Sequence, residues 1–218
     1  MREIQDHFFR EAKRKGYRSR AAYKLIEIDD RRKVLSKGDL VLDCGAAPGS
    51  WLQVASARVG SKGRVLGVDL AEIDPRQLPE NASIIKGDVR EVDLVGLLGS
   101  KADVVLSDMA PPTTGTPSAD QFRSAHLCTD LLGILPGILR SGGNCVMKVF
   151  EGEAYPDLLR QAAQAFERVK GFKPEASRSE SVEIFVVCHG FKKVSSDADL
   201  AQAPPPRKKP SGWGSGDS

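Results

Sequence analysis

Residues 40–51, LVLDCGAAPGSW, decide the fold. The opening residues Leu40, Val41 and Leu42 are apolar and branched, the pattern of a buried strand. Gly45 and Gly49 then form a turn through which a ligand can approach the backbone closely, and residues 50–59 read as a helix. A strand that runs through a Gly-rich turn into a helix opens a nucleotide-binding α/β sheet, with unpaired N–H groups at the helix start. A dinucleotide fingerprint would read G-x-G-x-x-G. Here Ala47 stands at the third position and Pro48 removes one donor. Both changes argue against a pyrophosphate, and with it against an NAD-dependent dehydrogenase. They favour a nucleoside cofactor without phosphates.

Working outward, further apolar, β-branched runs occur at 64–68, 83–85, 104–106 and 144–149. Helical stretches separate most of them, which is the pattern of buried parallel strands. Helices are expected at 119–139, bent or ended near Leu135 by Pro136 and Gly137, and at 155–169, with Pro156 near its first turn. Runs 169–173 and 183–188 have only a polar loop between them. So short a connection requires an antiparallel pair. The expectation is therefore a mostly parallel seven-stranded α/β sheet with one antiparallel strand and helices on both faces.

Asp43, Asp69, Asp88 and Asp108 fall at or near the C-terminal ends of four successive strands, the edge at which open α/β sheets bind ligands. A single aspartate there is commonly a turn former. Four on one rim beside a Gly-rich turn point to a nucleoside-type ligand, with Asp69 placed to accept from ribose hydroxyls. Lys148, in CVMKVF, would cost several kcal/mol inside a strand unless paired or at an accessible edge, and Asp108 on the neighbouring strand is a partner. Glu183 begins the reversed strand and so should reach the same rim. Lys24, on a helix with Ser19 as its expected N-cap, reads in isolation as a surface lysine.

The chain of 218 residues carries a net charge of +3, unevenly placed. Residues 1–37 hold 12 Lys/Arg against 6 Asp/Glu, while the rest of the chain is mildly acidic. Lys13, Arg14, Lys15, Arg18 and Arg20 form a basic stripe that suits a polyanion, although a solvated helix face would look the same. Cys44, Cys128, Cys145 and Cys188 are widely spaced, without C-x-x-C, and are expected to be buried thiols rather than metal ligands or disulfides. No apolar run is long enough to span a membrane, and the charged N-terminus is not a secretory signal, so a cytoplasmic location is expected. Three regions follow: a basic helical segment at 1–37, a main domain at 38–193, and a Pro/Ser/Gly-rich tail at 194–218 whose composition predicts disorder.

These stretches resemble the FtsJ-like (heat-shock) RNA 2′-O-methyltransferases, and within them the enzymes of large-subunit ribosomal RNA. KGYRSRAAYKL, LDCGAAPGSW, GRVLGVDL, KGDVRE, VLSDMAPPTTGTP, CVMKVFEG and SRSESVEIFVV carry the match in order from about residue 11 to 190. The resemblance implies a Rossmann-like class I methyltransferase fold and S-adenosyl-L-methionine as cofactor. It implies a catalytic set of Lys24, Asp108, Lys148 and Glu183, and cofactor contacts at Gly49, Trp51, Asp69, Asp88 and Asp108. It further implies Asp69 on the cofactor ribose, Asp88 at its adenine amine, and no metal. Lys148 is the candidate base for the 2′-hydroxyl proton.

The implied substrate is a uridine ribose in the aminoacyl-tRNA-binding loop of large-subunit rRNA, within an assembled 50S subunit, acted on by a monomer. Transfer to a tRNA ribose or an mRNA cap, or a non-catalytic role in ribosome assembly, stays open. Ser50 replaces a usual second Gly, and Pro112-Thr113 replace a more familiar Asn-Met after SDMAP. The second change falls in a loop where it can alter substrate fit.

Overall fold

The computed structural model describes residues 2–76, 78–177 and 181–192, with side chains from His7 onward; the 194–218 tail lies outside the described residues. Seven strands form one sheet: β1 (Leu40–Cys44), β2 (Arg64–Asp69), β3 (Ala82–Lys86), β4 (Ala102–Ser107), β5 (Leu139–Phe150), β6 (Phe166–Phe172) and β7 (Glu183–Phe191). Their order is β3-β2-β1-β4-β5-β7-β6. All neighbouring pairs among β1 to β5 are parallel, while β7 runs antiparallel to both β5 and β6. One reversed strand was the expectation, and β7 is that strand.

The helices are α1 (Arg2–Arg14), α2 (Ala21–Arg32), α3 (Ser50–Val59), α4 (Leu94–Leu98), α5 (Pro117–Ile138) and α6 (Tyr155–Ala165). Alternation along each strand sends successive residues to opposite faces. Val41, Val65, Val104, Val146 and Val187 pack with α2 and α3 on one side. Leu42, Leu66, Val105, Met147 and Cys188 pack with α4, α5 and α6 on the other. Both faces are thus covered, which is why the central runs are apolar throughout. All four cysteines are free and buried in this core, as their surroundings in sequence suggested. Among the described residues no helix is long and apolar enough to cross a membrane.

Two sequence expectations need correction. Pro136 does not end its helix; α5 continues through it to Ile138, where the strand begins. The helix expected to reach residue 169 stops at Ala165 because Phe166 already belongs to β6, facing Phe191 across the ladder with its ring buried. Arg20, the residue before Ala21, is already helical and makes no side-chain cap, so the capping bond comes from Ser19 as expected. The Ser19 hydroxyl accepts from the Ala21 N–H at 3.2 Å and lies 2.8 Å from the Ser50 hydroxyl. α4, which the sequence reading omitted, is a single short turn capped by the Asp93 carboxylate at the Gly96 N–H.

Candidate active site

Strand register lines up ionisable side chains on one face of the sheet. Asp43 pairs with Gly67 on β2 and with Leu106 on β4. Asp69 and Asp108 therefore each lie two residues further along, about 6–7 Å beyond it. Leu106 pairs with Val146, so Lys148 stands level with Asp108. Phe150 pairs with Glu183, which places Glu183 one step outward on the reversed strand. Counting in twos, Asp69, Asp43, Asp108, Lys148 and Glu183 all point to the α2/α3 side, across five adjacent strands.

The contacts agree with this arrangement. Lys148 Nζ lies 2.9 Å from Asp108 Oδ1 and donates to the Asp108 carbonyl at 2.5 Å. Cys128 on α5 donates its thiol to the Lys148 carbonyl at 3.1 Å, which fixes the strand at that residue. Lys24 reaches Glu183 at 2.6 Å, with both side chains about one-tenth exposed, and sits over the Phe185 ring 5.8 Å from its centre. Lys24 is thus no surface lysine. Burial pushes the Glu183 carboxyl up, but the charge and hydrogen bond of Lys24, the Ser177 hydroxyl and nearby Lys148 outweigh it and hold the group below the usual range. Ser177, 2.9 Å from Glu183 Oε1, went unremarked in the sequence reading. Its loop is tied to α2 because Glu27 accepts from the Glu175 N–H at 2.8 Å.

Beside these pairs opens a cleft of about 650 Å³ lined by Gly45, Asp69, Asp88 and Asp108, with one side of α5 as the opposite wall. Asp69 accepts from the Ala47 and Ala71 N–H groups, both at 2.8 Å, and keeps spare lone pairs towards the cleft. Asp88 is gripped by Arg90, whose guanidinium holds its carboxyl down at about 2, and Arg90 also comes within 3.8 Å of Asp130 on α5. Asp43 is fully buried behind the turn, and neither of its oxygens has a hydrogen-bond partner among the described residues. Burial, with Asp108 and Asp69 adding to it, pushes its carboxyl well above the usual range.

Gly49 and Trp51 do not line this cleft with side-chain atoms. Gly49 (φ 105) is the left-handed residue that starts α3. The Trp51 ring is buried near Phe185 and donates Nε1 to the Ala21 carbonyl at 2.9 Å, locking α3 against α2. The Gly49 N–H is itself given to the Ala46 carbonyl at 2.6 Å. The basic stripe also differs from its simple reading. Arg14 and Lys15 pair with Glu11, and Arg18 turns inward to donate to the carbonyls of Pro48 (3.0 Å) and Arg76.

The family model described as FtsJ-like methyltransferase matches residues 17–191, nearly all of the described fold. The chain belongs to the FtsJ-like methyltransferase family. It is 45% identical over 204 residues to the ribosomal RNA large subunit methyltransferase E of Nitratidesulfovibrio vulgaris (strain DP4), covering 91% of this chain and 100% of that protein. The enzyme of the same name from Methanobrevibacter smithii is 42% identical over 196 residues, covering 88% of this chain and 93% of the relative.

Among solved structures, a ribosomal RNA methyltransferase from Plasmodium falciparum is 31% identical with a TM-score of 0.70, covering 80% of this chain and 98% of the other. Aeropyrum pernix fibrillarin, solved with natively bound S-adenosyl-L-methionine, has a TM-score of 0.52 at 19% identity, covering 77% of this chain and 73% of the other. That likeness is one of fold. As an FtsJ-like methyltransferase, the chain is an enzyme, with the Rossmann-like sheet that its Gly-rich turn announced.

Proposed function

We propose that this methyltransferase transfers the methyl group of S-adenosyl-L-methionine to the ribose 2′-hydroxyl of a uridine in large-subunit rRNA, in the cytoplasm and within the assembled 50S subunit. The observation that carries the reading is the pairing of Lys148 with Asp108, which itself lines the acid-lined cleft, and of Lys24 with Glu183 on the same face of the sheet. The names of the bacterial and archaeal relatives support the choice of RNA.

The residues present fit the cofactor. Its sulfonium and α-ammonium are cationic, and the cleft offers Asp108, with the buried Asp43, unpartnered among the described residues, close behind. Asp69, with free lone pairs, would hold the ribose hydroxyls, and Asp88 would accept from the adenine amine. The backbone N–H of Trp51, in the unpaired first turn of α3, would take the carboxylate, and Gly49, whose own N–H goes to the Ala46 carbonyl at 2.6 Å, would let it approach without a side chain in the way. When bound, S-adenosyl-L-methionine supplies a methyl group already activated by positive sulfur.

What remains for the chain is to hold the 2′-oxygen within about 3–3.5 Å of the methyl carbon and take its proton. Lys148 Nζ is the acceptor in this reading. Asp108 fixes the amine from one side through carboxylate and carbonyl together. Lys24, anchored by Glu183 and Ser177, orients the hydroxyl or the adjoining phosphate from the α2 side.

The test is transfer of labelled methyl to isolated large ribosomal subunits that lack ribose methylation, with deproteinised rRNA and bulk tRNA in parallel. Label confined to the subunits is the expected result. Label on tRNA alone would move the substrate, and no label on any RNA, with cofactor still bound, would remove the reading.

A further inference from the structure

α5 presents a stripe of side chains to the cleft, and its two ends differ. Asp130 lies near the Arg90–Asp88 pair, where the adenine amine is assigned. Phe122 lies eight residues earlier on the same stripe, about 12 Å away along the helix axis. Its ring lines the cleft and is nevertheless 68% exposed, one of few large apolar side chains so placed. Burying it would remove a costly apolar surface from water, and nothing in the described fold does so.

The position of Phe122 is fixed tightly relative to Lys148. Ser124, two residues on, accepts from the Phe150 N–H at 3.0 Å, and Phe150 is two residues past Lys148. Gln121, the preceding residue, packs its side chain directly against Gly152. The loop before α5 is equally well held: Asp120 accepts from the Thr114 N–H at 2.9 Å and from its hydroxyl at 2.8 Å. That loop brings Pro112 into the same cleft. Arg123 and His126 line the cleft beside Phe122 and stand exposed, giving the apolar surface a basic margin.

We infer that Phe122 and Pro112 form a stacking shelf for an unpaired nucleobase of the RNA substrate, either the target uridine or its immediate neighbour, with Arg123 placed for the adjoining phosphate. An exposed aromatic ring with a cation beside it is the arrangement that holds single-stranded bases. The charge of Arg123 matches the polyanion, and the shelf shares its cleft with Asp108, the partner of the amine assigned to the 2′-hydroxyl. Pro112 stands where the family pattern suggests a polar Asn, so the shelf is apolar at both named positions. The inference rests on the RNA-methyltransferase reading above.

Phe122→Ala and Phe122→Trp in the full chain test it, with melting temperature checked first, since an exposed ring contributes little to the fold. The dissociation constant for S-adenosyl-L-methionine, the KM for undermethylated large subunits, and the anisotropy of a labelled single-stranded rRNA fragment are measured for each. Phe122→Ala is expected to raise KM and weaken fragment binding at least about five-fold, the scale of one lost base stack, with Trp restoring both and cofactor affinity unchanged. Unchanged RNA parameters, or a loss confined to the cofactor constant, would overturn the shelf, the latter making Phe122 a cover for adenine. If the wild type methylates no RNA at all, the reading of function fails by itself. Fragment binding still decides the shelf, and equal affinities of wild type and Phe122→Ala would remove it.

Discussion

Lys24 and Glu183, on a helix near one end of the described chain and a strand near the other, meet at 2.6 Å. The Ser177 hydroxyl on the same Glu183 oxygen completes a buried anchor. Because the Glu183 carboxyl is held below its usual 4.5, folding favours the ionised form. The stabilisation is fully present above the unfolded value and is lost as pH falls through the lower folded one. Wild type should therefore lose melting temperature more steeply than Glu183→Gln, whose amide does not titrate, as the pH is taken below about 4.5. Parallel curves for the two proteins over that range would mean that the pair contributes nothing to the acid limb.

Lys148 has no apolar role that an alanine would expose, because its amine points at Asp108 and its carbonyl is held separately by Cys128. Lys148→Ala is expected to cut single-turnover methyl transfer by about 10²–10⁴-fold, the usual scale for loss of a general base. Cofactor affinity should change little. Transfer above about a tenth of wild type would transfer the base role elsewhere.

The fold was largely legible because its signals were local. The run at 40–42, the Gly-rich turn and the helix at 50–59 lie together in sequence and needed no partner to be read. The reversed strand followed from the shortness of one connection. Lys24 was the opposite case: nothing near it in sequence foretold Glu183, and only family resemblance singled it out. Boundaries erred where tertiary contact overrode local pattern, as when Phe166 left its helix to face Phe191. One member of the basic stripe, Arg18, was illegible for a related reason. Charge counts cannot tell an arginine aimed at solvent from one turned inward onto backbone carbonyls.

Arg18 is that arginine, and it makes a separable prediction. Its guanidinium holds the Pro48 and Arg76 carbonyls, and its N–H donates to Gln53 at 2.9 Å, bracing the turn that borders the cleft. Arg18→Ala should cost about 1 kcal/mol, a shift of about 2–4 °C in melting temperature, and weaken cofactor binding. The dependence of RNA binding on salt should keep its slope, whereas Lys13→Ala, which removes an exposed charge from α1, should flatten it. A flattened slope in Arg18→Ala would show that this side chain reaches phosphate after all.

Asp43 supplies the sharpest test of the acid-lined cleft. It sits one strand step behind Asp69 and Asp108, fully buried, with both oxygens unpartnered among the described residues. Such a carboxyl is costly in the free protein, and burial together with its two acidic neighbours keeps it protonated to unusually high pH. A cationic ligand in the cleft would reverse that preference, so binding should release a proton and cofactor affinity should rise with pH. Asp43→Asn keeps the shape and removes the charge. The variant is expected to melt at or above the wild-type temperature without ligand, yet to bind S-adenosyl-L-methionine more weakly and with a flatter pH profile. Calorimetry in two buffers of different ionisation enthalpy counts the protons directly. Equal proton release by wild type and Asp43→Asn would exclude Asp43 as the group that responds to the cofactor's charge.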